Sequence, residues 1–175
     1  MAGHNKWSKI KHKKAAADSK RSGLFSKHIA AISVAAREGA NPETNAKLRA
    51  VIDRAKAANV PKSNIESALS KAGAEKDLAE LVLEAYGPAG VGILISVITD
   101  NTNRSISELK KLIADAGGKF ADVGSVKWAF EQSQDYQWVA KFPQTVDAAA
   151  KSDLERIVSE IEQHPDVQGV VTSAA

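Results

Sequence analysis

The charge of this chain changes sign part way along, and that partition limits what it can fold into. Residues 1–71 carry 15 Lys+Arg against 5 Asp+Glu, and residues 72–175 carry 9 against 16. The formal balances of +10 and −7 hide inside a net charge of +3. A chain of 175 residues polarised this way reads as two modules. One is basic and suited to phosphate; the other is acidic and repelled by it.

Most of the positive charge lies in residues 3–28, GHNKWSKIKHKKAAADSKRSGLFSKH. Lys6, Lys9, Lys11, Lys13, Lys14, Lys20, Arg21 and Lys27 stand there against Asp18 alone, with His4, His12 and His28. This much like charge cannot be packed inside a protein without large desolvation costs. It is either solvated or meets something polyanionic. Trp7, among the lysines, adds a flat face that can stack on a base or hold a cation. The plainer alternative is a solubilising tail that frays.

With 43% apolar and 26% charged residues the chain can bury a core. It has no cysteine, which rules out disulfides and thiolate metal sites and fits a reducing compartment. No apolar run is long enough to span a bilayer, and the best, 91–98, suits a buried strand. No apolar segment follows the N-terminal charges as a secretory signal requires, and Ala2 excludes myristoylation. The expectation is a soluble, cytosolic protein with no membrane contact.

Leu24, Phe25, His28, Ile29, Ile32 and Ala36 recur at helical spacing, so residues 22–38 read as an amphipathic helix stopped by Gly39. The next helix starts at Asn41-Pro42 or at Asn45, with Leu48, Val51, Ile52, Ala55 and Ala58 as its stripe. Asn59-Val60-Pro61 breaks it, and a short helix follows over 62–72. This is a small three-helix domain, 1–73 with its basic arm, whose heavy use of alanine implies a thin core. Residues 74–80 read as a polar linker.

Residues 81–175 change period. Strands are expected at 81–86, 91–98, 125–131, 136–142 and 167–172, and helices at 105–116 and 152–163. Val126, Trp128 and Phe130 fall on one face of the third strand; Trp128 and Trp138 are expected to alternate inward. After the first strand the order is β-α-β-β-α-β, the split arrangement of ferredoxin-like folds. The fold class is α+β, with an extra leading strand.

The segments GHNKWSKIKHKKAAADSKR, AAREG, AKAANVPKSNIESAL, AYGPAGVGILISVITDNTNR, GGKF…GSVKWAFE and DVQGV, in that order, closely resemble the YebC/PmpR family. The resemblance implies an N-terminal helical domain followed by mixed α/β domains. It also implies a DNA-binding transcriptional regulator, or a translation factor that acts on the ribosome at proline-rich stalls. Typical members are longer by one small α/β domain, which would enter here between Glu131 and Tyr136. Ala89 stands where the family prefers glycine, and Asn5 where it prefers serine.

No enzymatic motif is legible. Gly87, Gly90 and Gly92 lie between two strands, so they mark a turn and not a dinucleotide fingerprint. There is no Walker A, H-E-x-x-H or G-x-S-x-G. No nucleophile–base pair can be assembled, and no metal, cofactor or catalytic residue is expected. His164, before Pro165 at a helix end, suits a dipole role. Two binding sites are expected. The first is the basic surface of Lys6, Trp7, Lys9, Lys11, His12, Lys13, Lys14, Lys20 and Arg21, with Lys27, Arg49, Arg54 and Lys56 from the bundle. The second is the loop 99–104, where Asn101, Asn103 and Arg104 at a helix start form either a polar cap or an anion or RNA contact. The expected partner is nucleic acid: DNA, or ribosomal or transfer RNA. A protein-interaction module with an incidental basic tail is the remaining alternative.

Overall fold

A computed structural model describes residues 4–71 and 77–175, with side chains described from residue 15 onward except at position 16. Helix α1 runs His4–Ala35, 32 residues and about 48 Å at 1.5 Å per residue. The expected helix 22–38 is therefore only its second half. The basic run before it is helical as well, and a 3₁₀ turn, Ala36–Glu38, finishes the element. Helix α2, Ala46–Ala57, is capped by Asn45, whose Oδ1 accepts the Leu48 N–H at 2.9 Å. The Asn45 amide also donates to the carbonyls of Ala35 and Gly39, both at 2.8 Å. One buried side chain thus starts α2 and closes α1. Asn59, at φ 59°, stops α2, and α3 spans Lys62–Lys71. Ile32, Ala35, Leu48, Val51, Ile52, Ala55, Ile65 and Ala68 form the core of this helical unit.

The second unit is a four-stranded antiparallel sheet: β1 Ala79–Tyr86, β2 Gly92–Thr99, β3 Lys119–Ala121 and β6 Val167–Thr172, in the order β3-β1-β2-β6. Helices α4 (Thr102–Asp115) and α5 (Ala148–Glu162) cover one face. Leu83, Ala85, Ile93, Ile95 and Val97 meet Leu109, Ile113, Leu154, Ile157 and Ile161 there. Strands β4, Phe130–Gln132, and β5, Trp138–Ala140, pair only with each other, and this ribbon lies on the opposite face against Leu94 and Val126.

The α+β class is as expected, but the β-α-β-β-α-β order is corrected. The leading strand is no extra: β1 and β2 are the centre of the sheet. The short strand β3, which no pattern announced, takes the edge beside β1, and the strand expected at 125–131 shortens to β4 outside this sheet. The physical reason is Glu84. This β1 carboxylate, 2% exposed, accepts the backbone N–H groups of Gly124, Val126 and Lys127 at 2.6, 2.7 and 2.8 Å. Those donors are thereby withdrawn from any ladder, and the chain makes a 3₁₀ turn at Lys127–Ala129. Val126 and Phe130 remain buried, but Trp128 is turned outward and 67% exposed, against the expectation of core. Strand β1 also begins at Ala79, inside the expected linker, because Ala79 and Glu80 pair with Thr99 and Ile98.

Candidate nucleic-acid interface

The apolar side of α1 begins late. Ala15 and every residue from Ala17 to Leu24 are exposed, and among the described side chains Phe25 is the first to pack against the helical core. Over this stretch the described side chains leave the core of the bundle. Lys6, Trp7, Lys9, Lys11, His12, Lys13 and Lys14 lie on its helical backbone, with side chains outside the described residues. Lys20 and Arg21 are exposed at its base. Arg49 is exposed, with a long contact to the Pro42 carbonyl at 3.4 Å. Lys56 is exposed and 3.7 Å from Asp53.

Two of the expected phosphate ligands turn inward. Lys27 donates to the carbonyl of Glu162, at the C-terminal end of α5, at 2.8 Å. Partial burial lowers its pKa, opposed by the nearby carboxylates Glu162 and Asp166. Arg54 donates to the Asp135 carbonyl at the tip of the β4–β5 ribbon, at 2.7 Å. His28, beside it, is held below its ordinary pKa by burial and by the Arg54 charge, which favours its neutral form. Two further cations that the sequence reading left out join the units: Lys47 to Glu80 at 2.8 Å, and Arg37 to the Leu78 carbonyl at 2.5 Å. Part of the charge asymmetry is thus complementarity within the molecule. The available signal was the i, i+4, i+7 row of Lys47, Val51 and Arg54 along α2, which lacked a visible opposite wall.

The loop 99–104 is a closed network. Arg104 reaches Asp100 at 2.8 Å and Asp166 at 3.0 Å. Asn101 caps α4 by accepting the Arg104 N–H, and Asn103 is exposed. Ser105 bonds both Thr99 and Asp166 at 2.6 Å. Burial opposes ionisation of Asp166, but hydrogen bonds from Ser105 and Arg104 prevail and hold it below the usual carboxylate range. The Arg104 charge is engaged by two carboxylates, which is the arrangement of a cap more than of an anion site. His164 is buried; its Nδ1 accepts the Asp166 N–H, and its Nε2 sits 3.0 Å from Glu108. Among the described residues no group of three His, Asp or Glu is arranged to hold a metal, and no helix is long and apolar enough to cross a membrane.

Fold and surface together define a two-unit α+β protein whose smaller, helical unit begins with a long helix rich in lysine. The chain belongs to the TACO1/YebC family. Residues 5–75 match the TACO1/YebC protein N-terminal domain, and residues 78–134 match the TACO1/YebC second and third domain. The latter match ends inside the β4–β5 turn. A "Probable transcriptional regulatory protein" of Trichlorobacter lovleyi is 44% identical over 169 residues, 93% of this chain and 68% of the relative. One of Petrotoga mobilis is 51% identical over 136 residues, 75% of this chain and 54% of the relative. The chain spans about half the length of several curated relatives that it matches. The crystal structure of a conserved hypothetical protein from Aquifex aeolicus superposes with a TM-score of 0.78 at 26% identity, over 90% of this chain and 91% of that one. These relatives share the name "Probable transcriptional regulatory protein".

Proposed function

We propose that the chain is a non-enzymatic nucleic-acid-binding regulator, acting on DNA as a transcriptional regulatory protein. One observation carries this reading: the lysine-rich half of α1 is helical from His4, and the side chains from Ala17 to Leu24 that follow it are exposed. A helix this rich in lysine, with Ala17 to Leu24 exposed along it, is suited to phosphate. The names of the relatives support the same reading. Phosphate contacts supply affinity and register, not sequence discrimination. The test is the salt dependence of duplex binding. Replacing Lys9, Lys11, Lys13 and Lys14 by alanine is expected to flatten the log–log salt slope by about 3 to 4. An unchanged slope would remove the arm from the contact.

A second reading is favoured by α3. The helix after Pro61 stands where a recognition helix would, yet Lys62 and Glu66 on it face each other at 3.5 Å, and Ile65 and Ala68 point into the core. That leaves a poor surface for reading base edges. A protein that engages structured RNA by shape and phosphate, as on a ribosome, needs no such surface. Co-sedimentation with ribosomes, and preference for structured RNA over duplex DNA of equal charge, would favour this reading over the first.

A further inference from the structure

A cleft of about 720 Å³ separates the helical unit from the β4–β5 ribbon and the uncovered part of the sheet. That volume suits a ligand of nucleotide size. One wall is a single face of α1 and α2, carrying Lys27, His28 and Arg54; the other carries Tyr136 and Trp138 of the ribbon, with Lys127 beside them.

The cations here are incompletely compensated. Lys27 and Arg54 are partly buried, and their hydrogen-bond acceptors are the backbone carbonyls of Glu162 and Asp135. A carbonyl satisfies a donor without neutralising its charge. Lys127 stands 5.3 Å above the Trp138 ring, a cation–π contact that also leaves the charge in place. On the rim, Glu80 is taken by Lys47. Burial disfavours the charged forms of Lys27 and Arg54, and the nearby carboxylates, Glu162 and Asp166 at Lys27 and Asp135 at Arg54, offset that cost only in part. An anion in the cleft would relieve that cost.

The ribbon supplies an independent sign. Its tip closes with the Tyr136 N–H on the Ser133 carbonyl at 3.0 Å and the Ser133 N–H on the Gln137 carbonyl at 2.8 Å. Tyr136 has φ 58°, the left-handed conformation that such a turn normally assigns to glycine or asparagine. A bulky ring is strained there, and at 40% exposure burial does not compensate it fully. The ring lines the cleft, next in the chain to the residue that receives Arg54. A guanidinium and an aromatic face thus converge at one end of the cleft.

We propose that this cleft binds a nucleotide unit, with its phosphate on Arg54 and Lys27 and its base against Tyr136 and Trp138. The unit is either a free nucleotide or the unpaired end of a strand. The site is separate from the α1 arm, so each can fail alone. The test is calorimetry on the full chain with ATP and with a single-stranded adenine pentaribonucleotide, alongside a duplex DNA titration. At least one nucleotide probe is expected to bind. Tyr136→Asn should weaken it about tenfold, within the range for loss of one base stack, with the thermal midpoint unchanged or raised. Arg54→Gln should weaken it too. Binding of ATP supports a free nucleotide as the source, and binding of the pentamer alone supports a strand end. Duplex binding with neither nucleotide probe bound leaves the arm reading standing and overturns the cleft. So does undiminished affinity in Tyr136→Asn, or a lowered midpoint there, which would make the ring structural.

Discussion

A carboxylate with 2% of its surface exposed is costly unless its oxygens are well bonded, and Glu84 meets that condition with three backbone N–H groups from residues 124–127. Burial opposes its ionisation, but those hydrogen bonds and the Lys127 charge prevail, so its pKa lies below the ordinary value. The sign follows from linkage. A depressed folded-state pKa gives stability that is complete above the unfolded value, near pH 4.3, and is lost as pH falls through the folded value. Glu84→Gln keeps the shape but turns an amide NH₂ toward backbone donors. It should cost about 2–3 kcal/mol in urea unfolding at pH 7. The gap to the parent chain should narrow below about pH 4. A constant gap across that range would mean that the carboxylate is not ionised in the fold. Little of this was legible in the sequence. Between Leu83 and Ala85 the glutamate reads as one polar position in a strand, and its partners lie 40 to 43 residues away. Trp128 was misplaced for the same reason: the turn that Glu84 imposes breaks the alternation that placed the ring inside.

At the level of the element, what could be read was whatever carries its own period. The apolar stripe from Phe25 onward announced α1, and Asn45, Asn101 and Asp147 are caps of the kind their residue types favour. The lysine-rich half of α1 has no apolar face to repeat, so its only signal was propensity: alanine and lysine are good helix formers. Strand β3 is three residues long and shows no pattern at all. Gly23 marks the junction of the two halves of α1. A Cβ placed there meets nothing within 4 Å, and a mid-helix glycine is destabilising by roughly 0.5–1 kcal/mol relative to alanine. Gly23→Ala should therefore raise helicity and the thermal midpoint, read by far-UV circular dichroism. A lower midpoint would mean that the junction has to bend.

For the whole molecule, the two cores share no residue, and the named bonds between the units are polar: Lys27 to the Glu162 carbonyl, Arg37 to the Leu78 carbonyl, Lys47 to Glu80 and Arg54 to the Asp135 carbonyl. An exposed pair such as Lys47–Glu80 contributes at most about 1 kcal/mol and is screened by salt. The helical core leans on Ala35, Ala36, Ala55 and Ala68, while the sheet core is built from Ile, Leu and Val around β1 and β2. Apolar burial scales with side-chain area, so the helical unit is the weaker of the two. Native-state hydrogen exchange should then find two levels of opening. Amides of β1 and β2 would exchange only with global unfolding, and those of α2 and α3 at a lower free energy. Raising salt to about 0.5 M should loosen the docking bonds and increase the radius of gyration in solution scattering, with the circular dichroism of both units unchanged. One opening energy shared by all these amides would show that docking, and not the separate cores, governs stability. The cleft between the units would then be a fixed pocket, with no joint for ligand or salt to move.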